Sequence, residues 1–265
     1  MMVCRNVSAG YDGRPVLKGV TVKIRPGELI GVLGPNGSGK TTFLKCLARL
    51  MPLASGKIEL NGHDIFHGMT ERDAARKIAL VPQEETIAFP LTVREMVALG
   101  RTPYIGRFGW MGRADVKAVD KALREMDMEF ARNRGFGQLS GGERKRVVIA
   151  RALAQEARRL LLDEPTAHLD VSHALELFSL LRRLAAGGRT VVVASHEIWQ
   201  LARYCDRLFL FDQGRLLLDG PPAEVLRHRA CGRTFKVRLS MSKVEGMLVP
   251  VVLERKAAAG RPGRK

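Results

Sequence analysis

Apolar positions recur along the chain in two rhythms, and together they divide it into strands and helices. Residues 3–7 read as a short strand, and residues 17–24 alternate apolar and polar positions as a half-buried strand does. The turn Tyr11-Asp12-Gly13-Arg14 separates them, and Pro26-Gly27 turns the chain again. Leu29, Ile30, Gly31, Val32 and Leu33 then run without a polar break, the pattern of a strand buried on both faces. Phe43, Leu44, Leu47 and Leu50 fall at helical spacing and predict a helix over 43–50. Ser55-Gly56 breaks that helix; residues 57–60 resume strand alternation before an Asn61-Gly62 turn, and residues 78–81 make a brief buried strand ending at Pro82-Gln83.

From 84 to about 137 the rhythm becomes helical. Segments 92–99 and 114–126 are joined by a Gly- and aromatic-rich link at 104–110. After this insert, helices at 143–155, 173–185 and 197–204 alternate with apolar strands at 160–162 and 190–194, and a hairpin comes next at 207–211 and 215–218. Past Pro221-Pro222 a short helix leads to a weakly patterned tail with candidate strands at 234–239 and 248–253 and a frayed end from Lys256. No internal repeat is visible. The expected fold is α/β, with an antiparallel β lobe near the N-terminus and a helical insert at about 84–137. Residues 1–226 are expected to form one domain and 227–265 a basic tail.

Of the 265 residues, 46% are apolar, enough for a substantial core. No run approaches the ~18 apolar residues of a membrane span, and the first residues lack the apolar stretch of a secretory signal, so a cytosolic location is expected. Cys4, Cys46, Cys205 and Cys231 form no C-x-x-C pair, which speaks against zinc or a disulfide framework and reads as small core residues. The net charge is +17, of which residues 227–265 carry +9, from 11 basic against 2 acidic side chains. Such a field favours anionic partners, yet no basic stretch is interleaved with aromatics as a single-strand groove requires, and the tail reads as solvated surface.

The chemistry starts at Gly34-Pro35-Asn36-Gly37-Ser38-Gly39-Lys40-Thr41-Thr42, which fits G-x-x-x-x-G-K-[ST] between a buried strand and a helix. In that context glycines let backbone N–H groups face a polyphosphate, and the helix dipole favours the same anion. Lys40 is expected to reach the β- and γ-phosphates and Thr41 to sit on Mg²⁺. The strand at 160–162 ends in Asp163 and Glu164, placing one carboxylate to hold Mg²⁺ and the next to polarise an attacking water. Leu139-Ser140-Gly141-Gly142-Glu143 opens a helix, with Ser140 an N-cap and the exposed N–H groups a second anion site. Two phosphate cradles in one chain point to a site completed by a second protomer.

These elements, with Gln83 after a short strand, His168-Leu169-Asp170 and His196 after a strand, occur in an order and spacing that resemble the nucleotide-binding subunit of ATP-binding cassette (ABC) transporters. The resemblance covers residues 1–226 and implies a P-loop NTPase core and a head-to-tail dimer holding two ATP molecules. Lys40, Thr41, Asp163 and Glu164 of one chain would face Ser140, Gly141 and Gly142 of the other. It further implies that Tyr11 stacks on adenine, that Gln83 touches Mg²⁺ and the lytic water, that His196 contacts the γ-phosphate, and that Asp170 crosses the interface. Taken alone, Tyr11 is an ordinary turn aromatic, Gln83 a solvated amide, His196 structural and Asp170 a helix cap. Glu143 and Lys145 depart from the family's usual glutamines, just beyond the anion-contacting residues.

The segment from Gln83 to Pro90, the link from Gly100 to Phe108 and Thr166-Ala167-His168-Leu169-Asp170 are similar to ATPases that serve importers of iron–siderophore complexes, haem and cobalamin. That similarity implies an ATPase at the cytoplasmic face of the membrane, docked on permease subunits and served indirectly by a substrate-binding protein, with no nucleic acid expected. A soluble ABC ATPase acting on nucleic acid or ribosomes is the rival reading that the charge supports. Against it, neither a second cassette nor a long coiled coil is present. A small-molecule P-loop kinase is a third reading, and the LSGG segment and His196 leave it little room.

Overall fold

A computed structural model describes residues 1–83, 85, 89–106, 109–167, 169–244 and 247–253. In chain order its elements are β1 (Met2–Tyr11), β2 (Arg14–Ile24), β3 (Leu29–Leu33), α1 (Lys40–Leu47), β4 (Ser55–Leu60), β5 (His63–Asp64), α2 (Glu71–Ala75), β6 (Ile78–Val81), α3 (Val93–Ala98), α4 (Arg113–Glu125) and α5 (Gly141–Ala154). They continue with β7 (Arg159–Asp163), α6 (Val171–Ala186), β8 (Thr190–Ser195), α7 (Ile198–Tyr204), β9 (Arg207–Asp212), β10 (Arg215–Gly220), α8 (Pro222–Arg227), α9 (Arg229–Thr234), β11 (Arg238–Val244) and β12 (Met247–Leu253).

The unbroken apolar strands need cover on both faces, and they receive it. Strands β9, β3, β8, β7 and β6 run parallel in that order, with β10 antiparallel at one edge. One face packs against α3 to α7, and the other against α1 and a second sheet ordered β2-β1-β4-β5. That sheet is antiparallel throughout. Its first hairpin turns at Asp12 and Gly13, both at positive φ, the pairing that matches strand twist. This is the α/β architecture with β lobe and helical insert that the alternation predicts.

Within the insert, α3 and α4 pack on α5. Arg101 is buried there; its guanidinium donates to Asp115 at 2.9 Å, to the Ala154 carbonyl at 2.7 Å and to Glu156 at 2.7 Å, and lies 3.9 Å from the Tyr104 ring centre. That stack fixes the start of the aromatic link, while Trp110 at its end is 94% exposed.

Three expectations are corrected. The helix over 43–50 starts earlier and ends before Leu50, which is 67% exposed. Arg49 adopts φ 59°, and the N–H groups of Arg49 and Leu50 bond back to Cys46 and Lys45, a left-handed stop that apolar spacing cannot show. In the tail, Thr234 closes α9 instead of opening a strand, and β11 begins only at Arg238 after Lys236 turns at φ 57°. Nor is the tail all solvated surface, because Ala230 and Cys231 enter the core beside Val225 and Leu226. The cysteines are all buried, as their spacing implies. Glu84, Thr86, Ile87, Ala88, Arg107, Phe108, His168 and the end from 254, Lys256 included, lie outside the described residues.

Candidate functional site

Strand register assembles the site. Leu33 pairs with Ser195 and Asp163 with Ala194, so the loop after β3, the acids ending β7 and His196 after β8 emerge at the same sheet edge. The carboxyl ends of parallel strands are where α/β folds bind ligands. A cavity of about 350 Å³ opens there, lined by residues 36–42, Gln83, Glu164, His196, Val16 and Ala167. A larger cleft of about 520 Å³ lies between α5 and α6 and contains none of the phosphate-loop residues. Chemistry, not size, picks the smaller one.

The loop geometry explains its glycines. A Cβ at Gly34 would stand 2.4 Å from the Phe211 carbonyl oxygen and 2.6 Å from Ser38 Oγ, and Gly39 has φ 101°. Only glycine allows both. Lys40, 6% exposed, donates through Nζ to the carbonyls of Gly34 at 2.8 Å and Pro35 at 3.3 Å. The same Nζ lies 3.4 Å from Glu164 Oε1, an ion pair without hydrogen-bond geometry. Glu164 Oε2 is 3.0 Å from His196 Nδ1. Glu164 itself holds φ 43°, a left-handed backbone unusual for its type. Ser195 Oγ accepts the Glu197 N–H at 3.0 Å and shapes the turn that presents His196.

Asp163 is buried, and burial raises its pKa above the ordinary carboxylate value while the Thr41 hydroxyl pulls it back. Three buried oxygens of this region, Ser38 Oγ, Asp163 Oδ1 and Glu164 Oε1, have no hydrogen-bond partner. Buried oxygens without hydrogen bonds are costly, so three of them along the phosphate loop and at the end of β7 mark a place built for a ligand that supplies donors or positive charge. Among the described residues no cluster of three or more His, Cys, Asp or Glu could hold a metal by itself. One carboxylate, a neighbouring hydroxyl and the exposed amide of Gln83 instead suit a hard cation that keeps water and shares phosphate oxygens. The residues fit Mg²⁺.

The other predicted residues stand apart from this cavity. Ser140 caps α5: its Oγ accepts the Glu143 N–H at 3.3 Å, and Glu143 accepts the Ser140 N–H at 2.8 Å. Gly141 is exposed, and Gly142 lies beside Leu169 and His173. Asp170 caps α6, accepting the His173 N–H at 2.9 Å, with the His173 ring at 2.8 Å and the Ser172 hydroxyl at 2.9 Å; these bonds bring its pKa down to about 2. Tyr11, 46% exposed at the end of β1, has Lys45 Nζ 5.9 Å from its ring centre. Within one chain Ser140 and Asp170 are therefore helix caps. Val16 and Ala167 carry no chemical signal in the sequence, and only the fold brings them to the cavity.

The family model described as ABC transporter matches residues 17–167. The chain is 38% identical over 242 residues to the petrobactin import ATP-binding protein FpuC of Bacillus anthracis, covering 91% of this chain and 89% of that protein. It is 43% identical over 213 residues to the hemin import ATP-binding protein HmuV of Streptomyces coelicolor, covering 80% of this chain and 75% of that one. A solved inward-facing ABC transporter, provisionally classed as of the metal-chelate type, superposes with a TM-score of 0.83 at 26% identity, over 96% of this chain and 97% of that chain.

Proposed function

The chain belongs to the ABC transporter family and is an ATPase, and we propose that it energises import of a ferric siderophore, with haem and cobalamin as the alternatives. The observation that carries the catalytic part is the convergence of Lys40, Asp163, Glu164 and His196 at one sheet edge, beside buried oxygens without hydrogen bonds. Lys40 would turn from the loop carbonyls to the β- and γ-phosphates of ATP, joined by the N–H groups of the loop that holds Gly34, Asn36, Gly37, Ser38, Gly39 and Thr42. Glu164, released from Lys40, would accept the proton of the attacking water, and His196 would orient that water and the γ-phosphate. Thr41, Asp163 and Gln83 would hold Mg²⁺, which supplies charge neutralisation at the phosphates. Catalysis of this kind is mainly positioning and electrostatics.

Ser140, Gly141, Gly142 and Asp170 lie away from the cavity, which supports a role across a head-to-tail dimer, and Tyr11, exposed at the end of β1, would stack on adenine. We read residues 1–226 as the catalytic domain and the remainder as a basic tail of which only part packs on it. No helix among the described residues is long and apolar enough to cross a membrane. The reading is of a peripheral subunit on the cytoplasmic face, docked on permease subunits through the insert and the Gln83 segment. Phe89, 75% exposed, and Trp110 lie in that region and suit an interaction surface. The petrobactin and hemin relatives support the cargo class, although an ATPase touches its cargo only through the permease and a substrate-binding protein. The test is uptake of labelled ferric chelates, haem and cobalamin in a deletion strain complemented with wild type or Glu164→Gln. The reading expects ferric-chelate uptake to fail with Glu164→Gln; unimpaired uptake of all three would remove the cargo class and leave the ATPase standing.

A further inference from the structure

Lys145 is a cation that the nucleotide chemistry leaves unused. It sits on α5, the helix opened by Ser140, and its Nζ donates to the carbonyl oxygens of Pro82 and Gln83, each at 3.3 Å. Further along the same helix, Arg151 holds Glu85 in a two-pronged ion pair of 2.5 and 2.8 Å. One helix thus holds Pro82, Gln83 and Glu85. Arg146, the neighbour of Lys145, points elsewhere, to Glu176 and Asp127. Lys145 is half-buried, and desolvation disfavours its charge while Asp163 and Glu85 favour it. An ammonium kept in such a place needs its acceptors, and charge-assisted bonds to carbonyls are the stronger kind.

The consequence is mechanical. Ser140 to Gly142 open α5 and stand exposed or half-exposed at its start. A ligand engaged there would act on the helix that also carries Lys145 and Arg151, whose contacts reach the Gln83 backbone and the Glu85 side chain. Gln83 lines this chain's own cavity.

We propose that Lys145 is a positioning residue for Gln83: with the Arg151–Glu85 pair it clips Pro82, Gln83 and Glu85 to α5, so that engagement of Ser140 to Gly142 by the partner's nucleotide sets where Gln83 stands in this chain's site. The inference rests on the proposed function, in which Gln83 serves the ATP site. Both residues at 143 and 145 hold backbone groups: Glu143 accepts the Ser140 N–H, and Lys145 donates to the Gln83 carbonyl.

The test is a double-mutant cycle on the full chain, measuring steady-state MgATP turnover with Tm as the control for folding. Lys145→Met keeps the stem and removes the donors. It is expected to lower kcat about tenfold, the weight of one charge-assisted hydrogen bond, with KM and Tm close to wild type. Lys145→Gln, which restores an N–H donor, is expected to recover most of that loss. In a Gln83→Ala background, Lys145→Met is expected to do nothing further, since no side chain is left to place. Wild-type kcat in Lys145→Met, or a loss that multiplies fully with that of Gln83→Ala, would overturn the inference and leave the proposed site intact. Wild-type kcat in Gln83→Ala would overturn the role of Gln83, and the inference with it. Should Lys145→Met not fold, Glu85→Gln opens the same clip from the other side. It must then lower kcat non-additively with Gln83→Ala, and a silent Glu85→Gln counts against the clip.

Discussion

Lys40 and Glu164 face each other across the floor of the cavity, Nζ to Oε1 at 3.4 Å, both nearly shut off from solvent. The lysine that should bind phosphate is thus held by the carboxylate that should act on water, and by the carbonyls of Gly34 and Pro35. Binding of a polyphosphate would separate the pair, freeing Glu164 at the moment its substrate arrives.

Lys40→Ala removes the cation and leaves Glu164 buried beside His196 alone. Deleting a partner of a buried charge costs more than a surface pair is worth. MgATP affinity is expected to fall about thirtyfold, as loss of ~2 kcal/mol of charged hydrogen bonding implies. Calorimetric titration checks it, and an affinity within threefold of wild type would contradict the role given to Lys40.

Asp163 carries a pH-dependent cost. Its folded-state pKa is raised by burial, so the folded chain holds its proton to higher pH than the unfolded chain does. The penalty is absent below the unfolded pKa, grows as pH rises through the interval between the two values, and is full above the folded one. Asp163→Asn removes it. At neutral pH, without nucleotide or metal, the variant is expected to melt above wild type. It should also lose the extra stabilisation that Mg²⁺ gives with ATP. Scanning calorimetry with and without MgATP tests both halves; a lower melting point in the bare variant would show that other contacts already compensate the carboxylate.

Ser140 caps α5 within its own chain, and its surroundings are open. Ser140→Arg is expected to leave ATP binding by the monomer within about twofold and to cost ~1 kcal/mol of stability from the lost cap. It should abolish the ATP-driven dimer, because the new cation and its bulk would enter the opposite phosphate site. Light scattering during size-exclusion chromatography in MgATP reads this directly, and normal dimers would mean that the two sites are not shared.

How much of this the sequence carried depends on the kind of signal. β3 and β6 coincide with their apolar runs, since a strand buried on both faces leaves no ambiguity about its ends. The end of α1 was illegible because Arg49 stops the helix by a left-handed turn, while Leu50 keeps the apolar spacing into solvent. Asp163 and Glu164 were legible as a pair only beside the phosphate loop at 34–42, since an apolar strand ending in two acids is a weak signal by itself. The ion pair of Glu164 with Lys40 was not, because it depends on register between β3, β7 and β8. Val16 reached the cavity through the hairpin turn, and Lys145 its carbonyls through the packing of α5, neither of which leaves a trace in composition.

Glu164→Gln bears most directly on the claim that this chain hydrolyses ATP with Glu164 as base at a site shared by two protomers. The amide keeps the shape of the side chain and its place beside Lys40 and His196, but it cannot accept the water's proton. Single-turnover hydrolysis and sizing on the same sample of this variant in MgATP make the measurement. The account predicts hydrolysis slower by about a thousandfold, within the range of lost general-base catalysis, with ATP trapped in a stable dimer. Turnover near wild type, or a monomer that holds ATP without dimerising, would contradict it.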